Sequence, residues 1–248
     1  MKLSILLLAI GWGVFSLGAQ ELLKNHHQLL VITTQSWSDH QGTLVLYEKE
    51  SDDAPWTFVG EQIPVVLGKN GLALGIGLHP IIDTAFCKKE GDQKSPAGIF
   101  SLGSAFGFAT DLEMKDLKIH YFLLNEFVEA IDDPFSAYYN CIVDRRTVIP
   151  DWNSSEKMNE EPLYVVGITI NHNFPNPKIN AGSAIFIHVW KDKDCGTLGC
   201  TAMSKANLDA LLSWLDEKKN PILVQLPLDQ YLLLQDQWYL PALSNKHP

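Results

Sequence analysis

Residues 182–204 read GSAIFIHVWKDKDCGTLGCTAMS. Ala184-Ile185-Phe186-Ile187 is an apolar, β-favouring run, and it delivers His188 at its end. The polar stretch Lys191 to Asp194 then interrupts the pattern, and Cys195-Gly196-Thr197-Leu198-Gly199-Cys200 carries the chain on. The spacing predicts a strand, a hairpin-like return and then a helix. Ser204 is suited to cap that helix, and Leu208, Leu211, Leu212 and Leu215 follow at helical spacing. Asn220-Pro221 ends it, so the helix is expected from about Ser204 to Lys219.

Outward from this stretch, both flanks read as short strands between turn signals. Before it come Leu29 to Thr34, Thr43 to Tyr47 after a Gln41-Gly42 turn, Trp56 to Val59, Ile63 to Leu67, Ile99 to Leu102, His120 to Leu123 and Tyr164 to Ile168. After it come Ile222 to Gln225 and a weaker candidate, Gln237 to Tyr239. Many short strands punctuated by turns predict a mainly β sandwich or barrel with one C-terminal amphipathic helix. Residues 126–163 break the pattern with Asp132-Asp133-Pro134, Pro150-Asp151-Trp152 and Glu160-Glu161-Pro162. They read as a long irregular insertion, and long loops in compact domains are usually functional or poorly ordered.

Composition sets the outer limits. Hydrophobic residues at 46% with charged ones at 19% describe a globular chain able to bury a core. A net charge of −10 and a pI near 5.2 argue against a nucleic-acid partner, whose binding surface is basic. Residues 1–19, with Lys2, an apolar run from Leu3 to Phe15 and small residues to Ala19, have the layout of a secretory signal peptide. The run is short for a membrane span. The expectation is an exported protein, periplasmic or secreted, with no membrane span after cleavage and one domain over residues 20–248. Export makes the four cysteines, Cys87, Cys141, Cys195 and Cys200, candidates for disulfides.

Several readings of the chemistry stand side by side. Cys200 with His188 is a nucleophile and base in the making, because a thiol needs a base within reach to attack. The amides of Gly199 and Cys200 would then face an oxyanion, and the helix starting near Ser204 would favour a thiolate. Alternatively Cys195 and Cys200 form a small disulfide loop. A third reading puts zinc on His172, His188, Cys195 and Cys200, at a spacing that matches no strong structural pattern, and a fourth makes both residues plain core. The glycine-rich segment 68–77 lacks the G-K-[ST] ending and the G-x-G-x-x-G spacing, so turns explain it better than phosphate binding.

The stretch resembles the active-site signature of the L,D-transpeptidase (YkuD-like) family: a strand-end His, here His188, then Thr197-Leu198-Gly199-Cys200. A second family element is similar to Ser95-Pro96-Ala97-Gly98-Ile99-Phe100, which follows Val65-Val66-Leu67-Gly68. The resemblance spans roughly residues 60–205. Leu198 stands where many members carry His, and Thr201-Ala202-Met203 replaces the family's Arg or Asn after the Cys. The resemblance implies a YkuD-like catalytic core and cysteine-dependent acyl transfer, transpeptidase or carboxypeptidase, on the tetrapeptide stems of peptidoglycan. It implies Cys200 as nucleophile and His188 as base, with Gly199, Val189 and Thr197 as oxyanion and orientation residues; Asp194 and Asn173 are side-chain alternatives for orienting the His. His172 and Ser183 would line the substrate cleft. No cofactor or metal is required. With Cys200 a free thiol, Cys87–Cys141 is the pair favoured for a bridge. The alternative is a non-catalytic cell-wall binding domain with oxidised cysteines.

Overall fold

The computed structural model describes residues 22–80 and 86–243. The expected signal segment lies outside the described residues. Among the described residues, thirteen strands and two α-helices make up a mainly β protein. The strands β1 (Gln28–Thr34), β2 (Gln41–Glu48), β3 (Thr57–Val66), β4 (Leu72–Leu74), β5 (Ser95–Gly107) and β6 (Tyr121–Leu123) come first. Next are β7 (Val128–Ile131), β8 (Ile142–Asp144) and β9 (Ser155–Lys157). Then come β10 (Val166–Ile170), β11 (Phe186–Val189), β12 (Thr201–Met203), helix α1 (Lys205–Trp214), β13 (Ile222–Pro227) and helix α2 (Leu228–Leu234).

The main sheet runs β10-β11-β12-β3-β2-β1-β13-β5-β4 and closes on itself. The closure belongs to β5, which is long enough to serve two partners. Its Gly98–Ser101 part pairs with β13, and its Leu102–Gly107 part pairs with β10. An all-round pairing of this kind leaves fewer exposed edges than an open sheet. β1 and β13 pair in parallel through the middle. Both are buried along nearly their whole length, which is why they read as continuous apolar runs.

Two expected strands, 56–59 and 63–67, are one. β3 crosses from Thr57 to Val66 with Gly60 at φ +75° and a register shift on its β2 partner. The polar Gly60-Glu61-Gln62 that suggested a turn is the exposed bulge of a single strand. Helix α1 is shorter than expected. Ser204 Oγ accepts from the Asn207 N–H, and Leu208, Leu211, Leu212 and Leu215 are all buried in the main core. After Leu215 the chain leaves the α-helix and takes a 3₁₀ turn over Glu217–Lys219. The candidate strand at 237–239 is instead a turn after α2, with the Trp238 N–H donating to the Leu234 carbonyl.

The insertion has its own architecture: β8-β7-β9 form a separate three-stranded antiparallel sheet. Its pin is Glu129, a buried carboxylate that accepts from Trp152 Nε1 (2.9 Å) and Ser155 Oγ (2.5 Å) and pairs with Arg145 (3.1 Å). Burial pushes this carboxyl up, and the hydrogen bonds more than offset it.

Candidate active site

β11 and β12 lie side by side in parallel, with Ile187 opposite Thr201 and His188 opposite Ala202. The hairpin-like return expected from the spacing is therefore a crossover. Between the strands the chain reaches out to β3, where the Thr197 N–H donates to the Leu67 carbonyl and the Thr197 carbonyl accepts from Lys69. It then comes back in the same direction. Side chains alternate along strands, so Cys200, one residue before Thr201, falls level with Phe186. Phe186, His188 and Cys200 thus share one face. Ile187 and Met203 point the other way, into the main core under α1.

The outer face is closed by the insertion. Phe186 and Cys200 belong to a second apolar cluster with Phe106, Leu124, Val128 and Met158. Cys200 is only 9% exposed. Its Sγ lies 3.4 Å from the Phe186 N–H and 3.5 Å from the Ala184 carbonyl. Burial pushes the thiol up to about 12, against the lowering by the Phe186 N–H; the charge of Glu156 adds to the rise and that of Lys88 opposes it. His188 is buried too. Its Nδ1 sits 2.8 Å from the Val189 carbonyl, and the Tyr164 ring meets its own ring edge-on at 5.2 Å. Burial pulls the imidazole below its ordinary value, against the pull of the Val189 carbonyl. Both shifts favour a neutral thiol beside a neutral imidazole.

The loop that presents Cys200 is held by its backbone. Thr197 Oγ1 donates to the Cys200 carbonyl (2.5 Å) and accepts from the Gly199 N–H (3.1 Å). Ser95 Oγ donates to the same carbonyl (2.8 Å) and accepts from the Gly68 N–H (2.8 Å). Ser95 begins the Ser-Pro-x-Gly-x-Phe element, so the two sequence elements meet at one carbonyl. Gly68 is required here: a Cβ would stand 2.5 Å from the Gln93 carbonyl. Gly199 has φ +149°, a conformation that disfavours side chains.

The family model for the L,D-transpeptidase catalytic domain, YkuD, matches residues 38–224. The chain belongs to the YkuD family. No curated protein and no solved structure matches it. The match covers most of the chain, from just before β2 into β13, and includes the insertion and the whole His188–Cys200 stretch.

Several site expectations on this YkuD chain need correcting. The Gly199 N–H is taken by Thr197, so it does not face an oxyanion. The helix dipole is remote: α1 is capped at Ser204, four residues beyond Cys200, or about 13 Å along an extended strand. Dipole effects fade within the first turn. The thiols of Cys141, Cys195 and Cys200 are free, so neither Cys87–Cys141 nor Cys195–Cys200 is bridged. Cys195 is exposed in its loop and Cys200 is buried. Among the described residues no three His, Cys, Asp or Glu side chains gather as metal ligands. The side-chain candidates for orienting His188 are engaged elsewhere: Asp194 accepts from Gln41 Nε2 (3.0 Å), and Asn173 binds the Lys178 and Gly182 backbone.

His172 is neither exposed nor available as a base. The Ile76 N–H donates to its Nδ1 (3.2 Å), and its Nε2 faces the Ala181 carbonyl (2.8 Å). Both ring nitrogens are therefore spoken for, and burial pulls the ring down to about 4. It lines a cavity of about 360 Å³ between the barrel and the insertion, together with Phe122, Asn140, Cys141, Asn171, Ala184 and Phe186. Ser183 is buried and donates to Glu90 (2.9 Å), which also accepts from Tyr139 (2.9 Å). Missed by sequence reasoning were Lys88, whose buried ammonium pairs with Asp92 at 2.7 Å, and Tyr164, whose hydroxyl donates to Glu156 at 3.0 Å. The closely spaced charges of Lys88-Lys89-Glu90-Gly91-Asp92 look like a solvated turn in sequence, and no local pattern marks one of them as buried.

Proposed function

We propose that this protein is an exported, cysteine-dependent acyl-transfer enzyme acting on the tetrapeptide stems of peptidoglycan. The observation that carries the reading is the shared face of His188 and Cys200, with His188 Nδ1 held on the Val189 carbonyl. That hydrogen bond makes Nδ1 the protonated nitrogen and leaves Nε2 as the base.

In the reaction, Cys200 Sγ attacks the carbonyl that joins an L-centre to the terminal D-amino acid. The thiol proton passes to His188 Nε2 as the C–S bond forms. With the Gly199 N–H engaged, the Cys200 N–H is the amide left to meet the oxyanion. The C–N bond then breaks, and His188 returns the proton to the leaving amine. The resulting thioester is resolved by an amine of a second stem or by water; the attacking group's proton goes to His188 and the sulfur leaves to be reprotonated. A neutral resting pair suits this order, because the thiol is deprotonated only as the carbon arrives. The cavity beside Ala184 and Phe186 is of ordinary ligand-site size. It is the approach that ends at the atoms holding Sγ.

The test is incubation with purified tetrapeptide muropeptides followed by mass spectrometry. Loss of the terminal D-residue, with a thioester on Cys200 trapped by acid quench, is expected. A tripeptide product identifies water as acceptor, and a cross-linked dimer identifies an amine. Equal consumption of pentapeptide stems would contradict the donor assignment, since an extra residue displaces the terminal carboxylate by about 3.5 Å.

A further inference from the structure

Asn140 sits on the insertion, between β7 and β8, and its backbone N–H donates to the Ile131 carbonyl of β7 (2.8 Å). Its side chain leaves the insertion altogether. Nδ2 donates to the His172 carbonyl (2.9 Å) and to the Asn173 carbonyl (2.8 Å), while Oδ1 accepts from the Ala184 N–H (3.0 Å). The next residue along the grip is Ala184 itself. Its carbonyl faces Cys200 Sγ, and two residues on the Phe186 N–H faces the same atom.

Ala184 has φ +53°, a left-handed conformation that an alanine adopts only when its surroundings impose it. Asn140 supplies such an imposition. The adjoining residues repeat the grip: Tyr139 and Ser183 donate to one oxygen of Glu90. The side chain at position 140 therefore has three demands on it. It needs a donor toward two carbonyls, an acceptor toward an amide, and tolerance of its own φ of +63°. Asparagine meets all three.

We propose that Asn140 is a positioning residue for the nucleophile: by fixing Ala184 across the gap between insertion and barrel, it sets where Cys200 Sγ stands. The insertion is then part of the catalytic apparatus and not only a cover. The inference rests on the acyl-transfer reading above.

Asn140→Gly tests it, because glycine keeps the left-handed backbone and removes only the side chain. Asn140→Asp keeps the oxygen toward Ala184 and loses the donors. The exposed insertion variant Phe135→Ser is the control. On tetrapeptide muropeptides, below the melting temperature of each variant, Asn140→Gly is expected to lower kcat about 10²-fold with KM little changed, the cost of a small misplacement. Asn140→Asp should fall between it and the parent. Iodoacetamide, which needs no stem recognition, should alkylate Cys200 faster in Asn140→Gly than in the parent. An unchanged kcat would overturn the proposal. So would a raised KM at constant kcat, or an equal loss in Phe135→Ser. If the parent itself releases no D-residue, the acyl-transfer reading fails. Iodoacetamide then decides positioning alone, and equal alkylation rates overturn it.

Discussion

The two faces of β11 carry alternate residues of one short segment, Phe186-Ile187-His188-Val189, and they have opposite character. The inner face puts Ile187 and Met203 into the apolar main core under α1, beside Thr201, whose hydroxyl is satisfied by Gln225. The outer face puts Phe186 and His188 beside Cys200, under an insertion that carries its own sheet. The inner face needs only volume and apolarity, and many residues meet that need. On the acyl-transfer reading proposed above, the outer face needs a thiol, an imidazole and their backbone partners in register, so few substitutions leave it working. The barrel is then the support, and the chemistry occupies one side of two strands.

The sharpest way to break this contrast is at Cys200. Cys200→Ala is expected to lower turnover of tetrapeptide muropeptides by more than about 10³-fold, as loss of a nucleophile does. Melting should stay near the parent's, because the side chain fills an outer cluster and leaves the inner core untouched. Parallel measurement of turnover and thermal melting decides it. Near-normal turnover would remove the outer face from the chemistry.

At the inner face the effect should invert. Leu212 is 1% exposed on α1. Leu212→Asp places a carboxylate there with no partner, a loss of several kcal/mol, about 3 or more. Urea titration of the purified variant is the measurement. A protein that melts like the parent would show that α1 does not seal the core.

How much of this was legible beforehand follows the same division. β1 and β13 are unbroken apolar runs, and α1 has a capped leucine stripe; local periodicity fixes both. His188 and Cys200 are twelve positions apart at the ends of one readable stretch, so their proximity was accessible too. The direction of β12 was not, because a loop of that length serves a hairpin or a crossover equally; the bonds of Thr197 to Leu67 and Lys69 decide it, and they join distant parts of the chain. Asn140 and Tyr164 were invisible for the same reason, since Ala184 and His188 lie far along the chain. The Thr201 hydroxyl is a similar case: it donates to buried Gln225 across the barrel at 2.8 Å. Lys88 differs: its partner Asp92 is four residues away, and it is the burial of the pair that no local pattern predicts.

A pH titration of stability sharpens the contrast through His172. The buried ring has a folded value of about 4, below its ordinary 6.5. Below pH 6.5 the unfolded chain takes up a proton that the folded chain refuses, so stability is lost as pH falls from 6.5 toward 4. Over that window the loss from this residue is about 3 kcal/mol. His79 and His188, also lowered by burial, act in the same direction. Urea midpoints between pH 7 and 4 should fall steeply in the parent and less steeply in His172→Gln. Identical slopes would mean that burial does not hold the ring neutral.

The smallest expected effect separates the support of the outer face from its chemistry. Tyr164 packs edge-on to both Phe186 (5.5 Å) and His188 (5.2 Å), and its hydroxyl donates to Glu156. Burial raises the Glu156 carboxyl, and the tyrosine hydroxyl opposes that rise. Tyr164→Phe keeps the ring that bears on His188 and removes only the hydroxyl. The stability cost should be that of one unsatisfied partner, about 1–2 kcal/mol. Turnover should change only slightly, because His188 keeps its Val189 hydrogen bond and its aromatic neighbour. Thermal melting and kcat on muropeptides, measured on the same preparation, give both numbers. If kcat instead falls as far as in a His188→Gln variant, the hydroxyl and Glu156 take part in moving the proton. The reacting group would then extend from the barrel strands into the insertion.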